Sequence, residues 1–99
     1  MINEFTQHIG ILIVSVHIPS AQSLKEKRMV LKSLKDRARS QFNASVDELG
    51  DQDKWQTANL GFAMIGNDNR YINGTLDNIF SFVESCGCLT VCEHRIEFY

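Results

Sequence analysis

Ninety-nine residues, 43% of them hydrophobic, make one domain with a modest core, and one proline with six glycines argues against low-complexity disorder. The net charge of −2 is unevenly placed: residues 25–39 hold seven cations against two acids, leaving three cations against ten acids elsewhere. That segment is therefore +5 and the remainder −7, which disfavours a general nucleic-acid binder but leaves room for one basic surface.

The longest apolar run, Ile9 to Val16, is far short of the ~20 residues a membrane-spanning helix needs. The polar start at residues 1–7, with its acid Glu4, lacks a signal peptide's basic character and reads as a flexible tail. Three cysteines, an odd number, suit a reduced compartment better than a disulfide framework. The expectation is a cytoplasmic protein with no membrane association.

His8 to Ile18 reads as a first strand, with Leu12, Val14 and Val16 on one face and Ile11, Ile13, Ser15 and His17 on the other. Ser23-Leu24-Lys25-Glu26 is a capping box that opens a helix running to about Phe42. Its apolar stripe is Leu24, Leu31, Leu34, Ala38 and Phe42, and Lys27 falls inside that stripe, where its stem must snorkel past the helix end. Ala44 to Leu49 is a second strand, followed by a loop of turn-forming residues from Gly50 to Lys54. Ala58 to Ile65 is a third strand. Gly66-Asn67-Asp68-Asn69 then starts a second helix with Ile72, Leu76, Ile79, Phe80 and Val83 on its stripe. Gly74 weakens that helix by roughly 1 kcal/mol, and the last strand spans Leu89 to Phe98.

The order is βαββαβ, an α+β ferredoxin-like arrangement. It predicts a single domain over residues 1–99 whose four-stranded antiparallel sheet carries both helices on one face. The sheet's other face is bare.

Several blocks also resemble a known family. They are His17-Ile18-Pro19, Ser23-Leu24-Lys25-Glu26-Lys27-Arg28, Leu31 to Arg37, Phe42-Asn43, Ser45-Val46, Asp53-x-Trp55-Gln56, Ala58-x-Leu60-Gly61 and Asn67-Asp68. Together they cover roughly residues 9 to 98 and are similar to the YlxP-like bacterial family of unknown function. The resemblance implies a ferredoxin-like fold and gene neighbourhoods shared with translation factors and ribosome-maturation proteins. It implies no activity and no catalytic residues. Ile13 and Ser15 stand where acids are common in that family, and the segment Cys86–Cys92 is replaced there by other residues.

The strongest candidate surface is a basic ridge on the first helix. At 100° per residue, Lys25, Arg28, Lys32, Lys35 and Arg39 fall within about 80° of one another beside the apolar stripe. Aligned cations suit an RNA phosphate backbone, through which counterions are released on binding, although Lys and Arg also serve simply to keep a helix soluble. The expected partner is ribosomal RNA or a ribosomal subunit.

The third strand, Leu60-Gly61-Phe62-Ala63-Met64-Ile65, lies where an RNA-recognition motif carries its stacking rings. It lacks the leading cation, and Met64 and Asn67 replace two of the rings, so base stacking on the sheet is disfavoured. Two strand parities are open. In one, Phe62 and Met64 join Ile11 and Ile13 on the bare face and form an apolar patch for a homodimer or another protein; in the other they are buried. Trp55 is either a lid on the core's edge or an anchor for a partner's pocket.

Cys86-x-Cys88-x3-Cys92-x-His94 has the donor types for zinc. In one strand, however, Cys88 and Cys92 would lie ~13 Å apart, so the cysteines read as small core residues and no metal or cofactor is expected. Asp47, Glu48, Asp51 and Asp53 surround one loop and read as solvated acids. His8, His17 and His94 have no Ser, Cys or Asp at the spacing of a catalytic triad, and no catalytic residue is expected.

Overall fold

The structure, a computed structural model, describes residues 5–50 and 52–99. The first four residues of the expected tail and Asp51 of the acidic loop lie outside the described residues; Phe5, Thr6 and Gln7 precede the first strand as exposed coil. The elements are β1 (His8–His17), α1 (Leu24–Gln41), β2 (Ser45–Leu49), β3 (Thr57–Gly66), α2 (Asn69–Glu84) and β4 (Thr90–Phe98).

Local chemistry sets both helix starts. The Ser23 hydroxyl accepts from the Glu26 amide at 3.1 Å, and the Glu26 carboxylate accepts from the Gln22 amide at 2.6 Å. The capping box thus closes one residue earlier than its ideal form. Asp68 caps α2 by accepting from the Arg70 amide at 2.9 Å. No helix among the described residues is long and apolar enough to cross a membrane.

The strands form one antiparallel sheet in the order β2-β3-β1-β4, the arrangement expected of the ferredoxin-like layout. Both helices lie on one face. Beneath them sit Leu12, Val14 and Val16 of β1, Leu60, Phe62 and Met64 of β3, Leu31 and Leu34 of α1, and Ile72, Leu76 and Ile79 of α2, all buried. Gly10 lets α2 approach closely, because a Cβ there would stand 2.3 Å from Ile72 Cγ2.

The register resolves the open question about β3. Leu12 pairs with Phe62 and Val14 with Leu60, so these side chains share the helix-facing side. Phe62 is 1% exposed and is therefore not a partner-binding residue. Leu60, Phe62 and Met64 carry far more apolar area than Gly61, Ala63 and Ile65, and a one-residue slip would exchange the two sets.

The end of the chain departs from a uniform alternation. Ser15 pairs with Glu93 but Val16 with Val91, so Cys92 is a bulge and the inward parity changes across it. Val91 and Leu89 point toward the core, while Cys88 and Cys92 are exposed. Of the three cysteines only Cys86 has the core position expected from the sequence.

Candidate nucleic-acid interface

The five-cation row lies on one flank of α1. Lys25, Arg28, Lys32 and Arg39 are exposed and Lys35 is half-buried. With a rise of about 1.5 Å per residue, Lys25 and Arg39 stand about 21 Å apart along the axis. The Arg39 Nη2 group donates to the Val46 carbonyl at 3.1 Å, which fixes the row on the β2 side of the helix. Arg37 belongs to the opposite flank, where its guanidinium lies 5.4 Å from the centre of the Phe82 ring and donates to the Cys86 sulfur at 3.3 Å.

One acid stands within the row. Lys32 Nζ is 2.9 Å from Asp36 Oδ2, and Arg39 Nη1 is 3.7 Å from Asp36 Oδ1. The hydrogen bond and charge of Lys32, aided by Arg39 and Lys35, hold the Asp36 carboxyl below the usual carboxylate range. Among the described residues, no ion pair engages Lys25, Arg28 or Lys35. Among the described residues the acids of the neighbouring strands form no ion pair with the row, and Asp36 sits on the helix itself.

Lys27 behaves differently from the snorkelling cation expected of it. Its side chain is 0% exposed, and Nζ lies 2.7 Å from Glu48 Oε2 on β2 and donates to the Lys54 carbonyl at 2.7 Å. Position 27 points straight under the sheet's edge, so its ammonium cannot reach water and takes an internal partner instead. Glu48 Oε2 is buried with no well-directed hydrogen bond among the described residues, which leaves the Lys27 charge as its compensation. This pair is legible in the sequence only as a lysine inside an apolar stripe opposite an acid-bearing edge strand.

The same contact pins the loop that carries Trp55. On its far side Gln56 Nε2 donates to the Pro19 carbonyl at 3.2 Å and the Ala21 carbonyl at 3.0 Å. Trp55, held between two anchored neighbours, is 55% exposed. Its indole is presented outward rather than sealing the core.

The bare face of the sheet carries Ile11 and Ile13, both half-buried, with Ile9 and Ile65 more exposed at its end. Ser15 Oγ donates to Asn59 Oδ1 across the middle at 2.8 Å. A depression of about 120 Å³ between β1 and β4 is lined by Ile13, Ser15, Glu93, His94 and Arg95. No Phe, Tyr or Trp ring from β1 or β3 reaches this face, because Phe62 is turned inward; His17 is the ring that β1 places there. Among the described residues no three His, Cys, Asp or Glu side chains converge as metal ligands would.

Residues 9–96 match the sequence profile of a family described as "Protein of unknown function (DUF503)". The chain is also similar to "Uncharacterized protein YlxP" of Bacillus subtilis (strain 168), with 36% identity over 77 residues, 78% of this chain and 84% of the relative.

Proposed function

Starting from the fact that the chain belongs to the DUF503 family, the YlxP-like family of its sequence resemblance, we propose that it is a binding protein that docks on the phosphate backbone of folded RNA, in a ribosomal particle, through the cation row of α1. The observation that carries this reading is the row itself: Lys25, Arg28, Lys32, Lys35 and Arg39 aligned along one exposed flank with Asp36 as the acid among them. In a chain of net charge −2 such a concentration creates a local positive field against an acidic background.

Recognition of this kind is electrostatic and reads no bases. A rigid helix presents cations at axial intervals of about 4.5–6 Å, and each phosphate neutralised releases condensed counterions. The central strands β1 and β3 contribute no Phe, Tyr or Trp ring to the bare face, so it lacks the paired stacking rings of the RNA-recognition type. Trp55, exposed beside the first turn of α1 through the Lys27–Lys54 contact, would add one stacking or packing anchor at the end of the row.

The test is a salt titration of binding to ribosomal RNA or small subunits. Engaging all five cations gives a slope of log affinity against log salt of about −4, less whatever Asp36 offsets. Lys32→Glu combined with Lys35→Glu is expected to abolish binding at moderate salt. No binding at low salt, or binding untouched by the double reversal, overturns the reading.

A further inference from the structure

The two outer edges of the sheet are treated differently. On β2 the outward carbonyl of Val46 takes Arg39, the Glu48 amide donates to the Asp47 side chain at 2.9 Å, and the Glu48 carbonyl takes Gln52 at 3.2 Å. These contacts block strand addition at that edge, as natural sheets do to avoid unwanted pairing.

At the other edge the ladder is set by Ile9 and Tyr99, which exchange both backbone hydrogen bonds, at 3.0 and 2.8 Å. Counting by twos, Glu97, Arg95 and Glu93 bond toward β1, so the backbone groups of His94, Ile96 and Phe98 point away from the sheet. Among the described residues no side chain or backbone group pairs with them. From His94 to Phe98, β4 is an open edge.

We propose that this edge pairs with β4 of a second copy, antiparallel about a two-fold axis at Ile96, joining the two four-stranded sheets into one. Charge selects both the occupant and the register. With Ile96 opposite Ile96 of the second copy, Arg95 stands opposite Glu97 and Glu97 opposite Arg95, each pair on the bare face. Arg95 Nε and Glu97 Oε1 already lie 2.7 Å apart within one chain, so the dimer extends an alternating row of charges. On the helix side Phe98, 40% exposed, meets His94, whose imidazole is already tilted against Phe80 at a centroid distance of 4.0 Å.

The neighbouring registers fail. A two-fold at Arg95 sets Arg95 against itself and Glu93 against Glu97, and one at Glu97 sets Glu97 against itself. A two-fold at His94 matches Glu93 with Arg95 but runs Ile96 into the bulge at Cys92.

The experiment is sedimentation equilibrium on the wild-type chain across a concentration series, repeated for Arg95→Glu, for the swap Arg95→Glu with Glu97→Arg, and for Ile13→Glu. These positions face solvent on the bare side, and circular dichroism checks that each variant is folded. Wild type is expected to dimerise, Arg95→Glu to weaken the dimer by about tenfold or more, and the swap to restore it. Ile13→Glu is expected to leave it intact. A chain monomeric at every concentration, a dimer indifferent to Arg95→Glu, a swap that fails to restore, or dissociation by Ile13→Glu overturns the proposal.

Discussion

Replacing Lys27 with Met keeps the stem that fills the space under α1 and deletes the charge at its end. At 2.7 Å and an effective dielectric of about 20, the attraction to Glu48 is roughly 6 kcal/mol. Removing two ions from water costs several kcal/mol each, so the intact pair is close to break-even. Cutting one partner is another matter, because Glu48 then keeps its desolvation cost without the Lys27 charge to offset it, and the Lys54 carbonyl loses the Lys27 donor. Breaking such a pair costs ~3–5 kcal/mol, and the 12% exposure of Glu48, which allows some rehydration, places Lys27→Met near the lower end. In a domain of this size that is a fall in Tm of about 12–24 °C. Urea denaturation measures the loss directly. The double variant Lys27→Met with Glu48→Gln, which removes the stranded charge, is expected to recover about 1–2 kcal/mol of it. A loss below about 1 kcal/mol for Lys27→Met, or strict additivity in the double variant, refutes the account.

Two glycines separate in opposite directions. Gly10→Ala pushes a methyl into Ile72 and Leu76 and is expected to cost about 1–3 kcal/mol, whereas Gly74→Ala, with open space around it, is expected to gain about 0.4–1 kcal/mol, both read by thermal melting. In a thiol-reagent assay Cys88 and Cys92 are expected to react at once and Cys86 only on unfolding, since burial also pushes its thiol pKa up; a protected Cys88 or Cys92 contradicts the bulged register, and a fast Cys86 contradicts its burial. The Asp36 carboxyl is expected to titrate below its ordinary 3.8, and Lys32→Ala to move it back up, both followed by NMR. The folded-state value is the lowered one, so Asp36 favours folding at neutral pH. That contribution disappears only as the pH falls through the acid range.

Most of the architecture was legible because local and long-range signals agree. The capping Ser23, the 3.6-residue stripes of both helices and the period-two strands each specify one element without tertiary help. Which face of β3 is buried was not, since Phe62-Ala63-Met64-Ile65 is apolar on both sides; pairing with Leu12 and Val14, with the larger apolar area of Leu60, Phe62 and Met64, decides it. The Cys92 bulge leaves no residue-type signature, so the core positions expected of Cys88 and Cys92 fall one residue out of step with the inward Leu89 and Val91. At the candidate site the cation row follows from spacing alone. The fate of Lys27 does not, because a helical wheel reports direction and says nothing of what lies beyond the helix. Trp55 was ambiguous for a similar reason: its exposure is decided by the hydrogen bonds of Lys54 and Gln56 on either side, which no local pattern encodes.

The strand order gives the two surfaces a geometric relation that can be tested. β2 and β4 are opposite edges, so the cation row and the open edge lie on opposite sides of the molecule, about three strand spacings or ~14 Å apart across the sheet. Pairing through β4 therefore leaves both cation rows uncovered at the far ends of the joined sheet, roughly 33 Å from each other. Two such rows on one RNA would act through effective concentration, so the proposed dimer is expected to bind more tightly than a protomer without any new contact. Arg95→Glu is accordingly expected to lower affinity for a long structured RNA while leaving affinity for a fragment spanning a single row unchanged. Lys32→Glu with Lys35→Glu is expected to lower both and to leave the sedimentation behaviour alone. If Arg95→Glu weakens binding to the short fragment as strongly as to the long one, β4 is itself part of the RNA contact, and the division of the molecule into a binding flank and an assembly edge is wrong.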